Sequence, residues 1–223
     1  MMLITNPNYM WGTVFEDNHT LAAQMKIGDC LSFGTFEPDV DASTLKIRMP
    51  MLWHVIDKNG SKLKLLSYFF FEHTGFWGLH GSTKEYSWKD SEIRHDLNEK
   101  YYLSCFTESE RNAILTTEVK TTARDASCII TRDKLYVPAR EDIEHIPEHL
   151  KIGRFLSIDC FTDDTPTVDL GYCFYWLRDP GEYESTNLLV QGHLNSGIVL
   201  DNLHQDADEP GVRAVMWVDA DKL

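Results

Sequence analysis

Residues 175–183 read YWLRDPGEY, an aromatic and aliphatic run that ends in an arginine and a Pro-Gly turn. Phe174 extends the run, so large apolar groups stand at four successive positions. Successive strand residues face opposite sides of a sheet, and this pattern therefore predicts a strand covered on both faces. An arginine directly after such a strand leaves water without large cost only where several acceptors are already in place. Its planar fork suits loop carbonyls or a carboxylate. Arg178 is thus expected to be a buried strut beside Trp176, with the chain turning at Pro180-Gly181. Arg213, in GVRAVMWV (211–218) with Trp217, receives the same reading.

Other strands are legible around this one. IGDCLSFG (27–34) alternates Leu31 and Phe33 with smaller residues, as a half-buried strand does. MLWHVIDKNGSKLKLLSYFFF predicts a hairpin: a strand over 51–57, a turn at Lys58-Asn59-Gly60 and a strand over 62–70. Ser87 with Asp90 has the spacing of a capping box ahead of a helix carrying Ile93, Leu97 and Tyr101, and Thr107 with Glu110 repeats it before a shorter helix. TTEVKTT (116–122) and DKLYVP (133–138) look extended, and AREDIEHI is a short acidic helix stopped by Pro147. Further strands are expected over 172–179, 187–192, 196–201 and 211–218, joined by turns at Pro180-Gly181, Asn195–Gly197 and Pro210-Gly211. Strands at both ends with two or three helices between them predict one α+β domain of short mixed or antiparallel strands over 27–223, preceded by an arm or covering segment over 1–26.

A chain of 223 residues that is 43% hydrophobic can bury a proper core. It shows no long apolar span and no classical signal peptide, which makes the cytoplasm the default compartment and a membrane partner unexpected. The five cysteines, Cys30, Cys105, Cys128, Cys160 and Cys173, are odd in number and widely spaced, as expected of small buried hydrophobes rather than a disulfide framework or a zinc ribbon. The formal charge of −14 is uneven: from residue 141 onward 17 acids face 5 Lys and Arg. Such a field repels phosphate backbones, excludes nucleic acid as the expected partner and favours a cation, an amine or a basic protein surface.

Taken in order, Ile27-Gly28-Asp29 with Phe33-Gly34, then Trp53, Val55, Asp57 and Gly60, then Trp88, Ser91, Ile93, Arg94, Leu97, Asn98, Phe106, Glu110 and Ile114, then Trp176-Leu177-Arg178 with Pro180-Gly181, and finally Gly211-Val212-Arg213 with Trp217, resemble a bacterial family of domains of unknown function. The closing segment is also similar to C-type-lectin-like domains of the formylglycine-generating type. That resemblance implies a lectin-like scaffold whose anchored strands carry ligand-binding loops. Asp179 departs from the family pattern, in which serine is commoner, and places a charge beside Arg178.

Candidate ligand-binding residues crowd the loops of the terminal strands: His193, Asn195, Asp201, Asn202, His204 and Asp206, with Asp208 nearby. Oxygen-rich loops of this kind hold calcium in C-type lectins, but the spacing is not an EF-hand and no lectin tripeptide is present, so a solvated acidic loop without metal or cofactor is expected. DCFTDDTPTVD (159–169) is read the same way. GFWGLHG (75–81) adds Trp77 as an aromatic candidate for stacking on a sugar or peptide. The chain has no G-x-S-x-G, H-E-x-x-H or P-loop. The expected function is a non-catalytic module that binds a protein, peptide or glycan. The alternatives are an enzyme of the formylglycine-generating type using Cys160 or Cys173, and a structural component of a phage or secreted assembly.

Overall fold

The structure is a computed structural model that describes residues 2–4, 13–14, 24–36, 48–71, 87–159, 167–193, 197–205, 207 and 210–223, with the backbone alone at 2–4, 13–14, 153–159, 167–173, 191–193 and 197–199. Strands β1 (Met2–Ile4), β2 (Thr13–Val14), β3 (Cys30–Phe36), β4 (Met49–Asn59) and β5 (Lys62–Ser67) open the fold. A 3-10 turn (Trp88–Asp90) leads into α1 (Glu92–Asp96), which continues through a π-helical turn (Leu97–Tyr101) into α2 (Tyr102–Cys105), and α3 (Glu108–Ala113) follows. Next come β6 (Thr117–Thr122), β7 (Cys128–Asp133), α4 (Arg140–Glu144) and α5 (Glu148–Lys151). The chain closes with β8 (Gly153–Asp159), β9 (Thr167–Cys173), β10 (Tyr175–Pro180), β11 (Thr186–His193), β12 (Gly197–His204) and β13 (Val215–Asp219).

The described strands form one antiparallel sheet in the order β13-β5-β4-β3-β1-β2, a second in the order β10-β11-β12, and two hairpins, β6-β7 and β8-β9. This is an α+β domain. Its ends meet because β13 pairs with β5, Val215 opposite Leu66 and Asp219 opposite Lys62. The early segment contributes β1 and β2 at one edge of the large sheet and buries Met25; the rest of residues 1–23 lies outside the described residues.

The core explains the register. Trp53, His54, Val55 and Ile56 of β4 are all buried, as are Tyr175, Trp176, Leu177 and Arg178 of β10, so both strands are covered on both faces. Trp53 is fixed further by its indole N–H, which donates to the Phe33 carbonyl at 2.7 Å. The β4-β5 hairpin forms where the Asn-Gly signal placed it, although the two-residue loop is Gly60-Ser61, and Gly60 takes the left-handed conformation at φ +61°.

Several expected boundaries move for identifiable reasons. Ile27 and Gly28 form a turn held by Gly28 N–H on the Val55 carbonyl, so β3 starts at Cys30. Ser87 caps no helix: its hydroxyl donates to Asp90, and Ser91 is the N-cap of α1, accepting from Arg94 N–H at 3.2 Å. Thr107 and Glu110 do form the expected capping box. The stretch 133–138 makes only an isolated bridge, Tyr136 to Val215, whereas β7 was hidden in a polar run. Asp159 and Thr167 end paired strands, and 160–166 lies outside the described residues. Cys30 and Cys105 are buried as expected, but Cys128 is exposed because it stands on the solvent face of β7.

Gly34 shows how tightly the helical layer meets the sheet. At φ +78° an added Cβ would lie 2.7 Å from the Phe106 ring and 2.9 Å from the Cys105 carbonyl, and the Gly34 N–H donates to Glu110 at 3.0 Å. Gly34→Ala is expected to lower stability by about 2–4 kcal/mol through conformational strain and overpacking together. Gly60→Ala, with open space around it, should lose only the conformational part. Equal shifts of the two denaturation midpoints would show that Gly34 is not packed as described.

Candidate functional site

Arg178 lies at the end of β10 with 5% of its surface exposed. Its guanidinium donates to the carbonyl of Val137 at 2.9 Å and of Lys120 at 3.4 Å, and to the Asp142 carboxylate at 2.8 Å. Asp142 stands at the start of α4 and also accepts from Lys64 of β5 and from Ala139 N–H. Burial by itself would raise this carboxyl, but Arg178, Lys64 and the Ala139 N–H outweigh it and hold the group below the ordinary carboxylate range. The Arg178 guanidinium also lies 5.4 Å from the centre of the Tyr136 ring.

A second buried carboxylate, Asp133 at the end of β7, accepts from Arg94 at 2.8 Å, from the Trp88 indole at 3.0 Å and from Thr131 at 2.5 Å. Asp133 clamps the β6-β7 hairpin against the Trp88 turn, and Arg178, through Lys120, clamps it against β10. Arg213 fills a comparable position at the other end of the small sheet, donating to the Ser67 and Leu150 carbonyls at 2.8 and 2.9 Å and lying over the Tyr175 ring. Trp176 is fully buried, and Trp217 is half-buried with Lys64 5.9 Å from its ring centre.

Between the hairpin tip, the Trp88 turn and the β10-β11 strands lies an open cleft of about 620 Å³, within the range of roughly 300–1,000 Å³ usual for ligand pockets. Arg178 and Asn187 form its floor, Thr121, Thr122 and Ile129 the hairpin wall, and Asp90 and Asp125 stand at its exposed rim. Asn187 is rigid, donating to the Leu177 carbonyl and accepting from Gln205. The Thr121 hydroxyl is buried in this wall without a hydrogen-bond partner among the described residues. Ser127 hydrogen bonds, from side chain and backbone, hold the Asp125 carboxyl below its ordinary range, so the rim is anionic at neutral pH.

The mouth is latched and strained. The Arg124 guanidinium, at the hairpin tip, donates to the Tyr183 carbonyl and to that of Thr186 at 3.5 Å. Among the described residues the non-glycine residues with left-handed backbone are Ala126, at φ 63°, and Ser185, at φ 55°. They occupy the two turns that Arg124 joins. Such strain costs on the order of 1–3 kcal/mol per residue and concentrates at ligand clamps.

The residues singled out in the sequence are distributed otherwise. Asp201 and His204 are exposed on β12, while Asn202 accepts from Glu182 N–H at 2.6 Å and thereby holds the turn after Pro180. For His193 only the backbone, paired with Gly197, is described; Trp77, Asn195, Asp206 and Asp208 lie outside the described residues. Cys160 also lies outside them, and Cys173 is described by its backbone alone. Burial pushes the Cys30 thiol up to about 12. No group of three or more His, Cys, Asp or Glu among the described residues is placed to hold a metal ion, and no described helix is long and apolar enough to cross a membrane. Thr121 and Arg124, which line the cleft, and Asp142, which holds Arg178 in its floor, were missed because a polar run does not show which of its members is buried.

The family model described as Domain of unknown function (DUF6273) matches residues 61–220. The chain belongs to this family. The match contains the whole cleft and both buried carboxylates, whereas the Ile27–Gly34 and Trp53–Asp57 motifs precede it. No curated protein and no solved structure matches the chain.

Two measurements test the network. Arg178→Ala leaves Asp142 buried with one cation fewer, a loss expected at about 3–5 kcal/mol, or a melting point lower by roughly 6–20 °C for a domain of this size. A midpoint equal to wild type would remove Arg178 from the scaffold. Asp179, whose carboxylate accepts from Arg140 N–H at 2.7 Å, is pushed above the ordinary range by burial, against the pull of Arg140 N–H and Arg178. A raised folded value means that this group favours folding below its unfolded pKa of about 3.9 and disfavours it as pH rises through the folded value. Asp179→Asn should therefore melt higher than wild type at pH 7 and equal to it near pH 3. A lower melting point at pH 7 would contradict this.

Proposed function

We propose that the protein is a recognition module that binds its ligand without transforming it, in the cleft under the β6-β7 hairpin tip, on a scaffold whose closing strands resemble those of C-type-lectin-like domains. The observation that carries this reading is the combination, at one place, of a rigid polar floor, a buried hydroxyl lacking a partner, and two strained turns joined across the mouth. Floors with pre-set hydrogen bonds bind by filling polar positions already fixed in space, which lowers the ordering cost of association. The ligand classes remain those of a module of this kind: a protein, a peptide or a glycan.

Thr122 is exposed and lines the cleft, so Thr122→Trp fills the space without disturbing the core. Wild type and variant should melt alike, while binding to arrayed glycans and to arrayed peptides falls at least tenfold in the variant for whichever class is retained. The bound ligand should be recovered with unchanged mass. Binding that ignores Thr122→Trp, or recovery of a cleaved or modified ligand, would overturn the reading.

A further inference from the structure

The occupant of the cleft follows from the hydrogen-bonding phase of the hairpin, given that the cleft is the binding site. Ala123 N–H bonds the Ser127 carbonyl, and the register runs Thr122 to Cys128, Thr121 to Ile129 and Lys120 to Ile130. In an antiparallel pair, residues alternate between those that bond the partner strand and those whose N–H and C=O point away from it. Ala123, Thr121 and Val119 therefore bond β7, and Thr122, Lys120 and Glu118 turn their main-chain groups outward. The Lys120 carbonyl confirms the phase, because Arg178 of β10 reaches it from outside the hairpin. Among the described residues β6 pairs with β7 alone; its outer edge is met by Arg178 at Lys120 and, one pair further on at Thr122, borders the cleft.

An open strand edge offers a donor and an acceptor at strand spacing, which is what an extended chain requires. The wall adds Thr121, a residue 5% exposed whose buried hydroxyl has no hydrogen-bond partner among the described residues. The rim adds charge. Asp90 and Asp125 are both exposed there, Arg178 is matched by Asp142, and Arg124 is engaged with carbonyls. Carbonyl contacts leave the Arg124 charge in place, so beyond the Arg178–Asp142 pair the lining carries two carboxylates against one guanidinium, a net negative charge on a chain of formal charge −14. A saccharide fits less well, because Trp88, the aromatic residue of the lining, is 1% exposed and presents no open ring face.

We propose that the cleft binds an extended, basic peptide segment, which adds to the outer edge of β6 at Thr122, meets the Thr121 hydroxyl and sets a lysine or arginine against Asp90 and Asp125. Main-chain pairing supplies affinity in this mode, and the carboxylates select the charge of the side chain.

The test uses a phage-displayed library of random dodecapeptides selected on the whole protein, then repeated on an Asp90→Asn, Asp125→Asn double variant. Both substitutions are isosteric and exposed, so the variant should keep the fold, losing only the modest stabilisation that Ser127 lends the Asp125 carboxylate. The expected result is enrichment of lysine and arginine on wild type, at least tenfold weaker binding of the recovered peptides by the variant, and slowed hydrogen exchange of the Thr122 amide on binding. Recovered peptides without basic enrichment, or an unprotected Thr122 amide, would overturn the proposal. Arrayed neutral glycans separate the two levels of inference. A glycan whose binding is blocked by Thr122→Trp, with no peptide recovered, would reject the peptide and keep the module. Failure of both libraries to bind at the cleft would reject both.

Discussion

The contact between Arg178 and Asp142 is the constraint on which the other parts converge. Asp142 stands on α4, Arg178 ends β10, Lys64 belongs to β5, and the guanidinium reaches the carbonyl of Lys120 on β6. One ion pair therefore joins the large sheet, the small sheet, a helix and the hairpin. Neither partner is tolerable alone, since a buried charge without its counter-ion is far more costly than a buried pair. The pair is also geometrically demanding, because the fork must find the Val137 carbonyl and the carboxylate at the same time. Such an arrangement stabilises little relative to an apolar core of equal volume, but it permits only one way of docking the four elements. That is a specificity role, and it suits a protein whose cleft depends on the relative position of elements far apart in sequence.

Asp133 repeats the device on the opposite side of the hairpin. It collects the Trp88 indole, Arg94 and Thr131, while Asn98 donates to the Leu135 carbonyl just beyond it. A two-stranded hairpin is marginal by itself in water. Here its base is clipped on one side by Asp133 and on the other by Arg178, and its tip by Arg124. The cleft is thus framed by polar clips rather than by apolar packing, and this leaves polar groups such as Thr121 and Thr122 in its wall.

What the sequence disclosed follows from what is local. The β4-β5 hairpin, the Thr107 capping box and the doubly covered β10 were legible because each is written in a few adjacent residues with a steric or hydrogen-bonding reason. Arg178 was legible as a buried group for the same reason: four large apolar neighbours leave no water for it. Its partner was not, since Asp142 lies within REDIE, and an acidic stretch shows its buried member only once the helix has been docked. The same holds for β7, whose CIITRD alternates buried and exposed positions too polar to announce a strand. The oxygen-rich residues of and after β12 stand out in the sequence by composition alone. Asn202 turned out to hold a turn.

The site itself became visible only through mismatches that no composition records. A threonine hydroxyl without a partner, an alanine and a serine in left-handed backbone, and an arginine spending its donors on carbonyls are each unfavourable or neutral in isolation. They lie together, at the far end of a network that is fully satisfied at its base. Local conflict of this kind is expected where a structure is shaped by something other than its own stability. The base of the hairpin is held by Asp133 and Arg178, and among the described residues its tip is tied across the cleft by Arg124, so the asymmetry runs along the hairpin from Asp133 to Arg124. A ligand that pairs with Thr122, as proposed, acts at the strained end of the hairpin, away from Asp133 at its base.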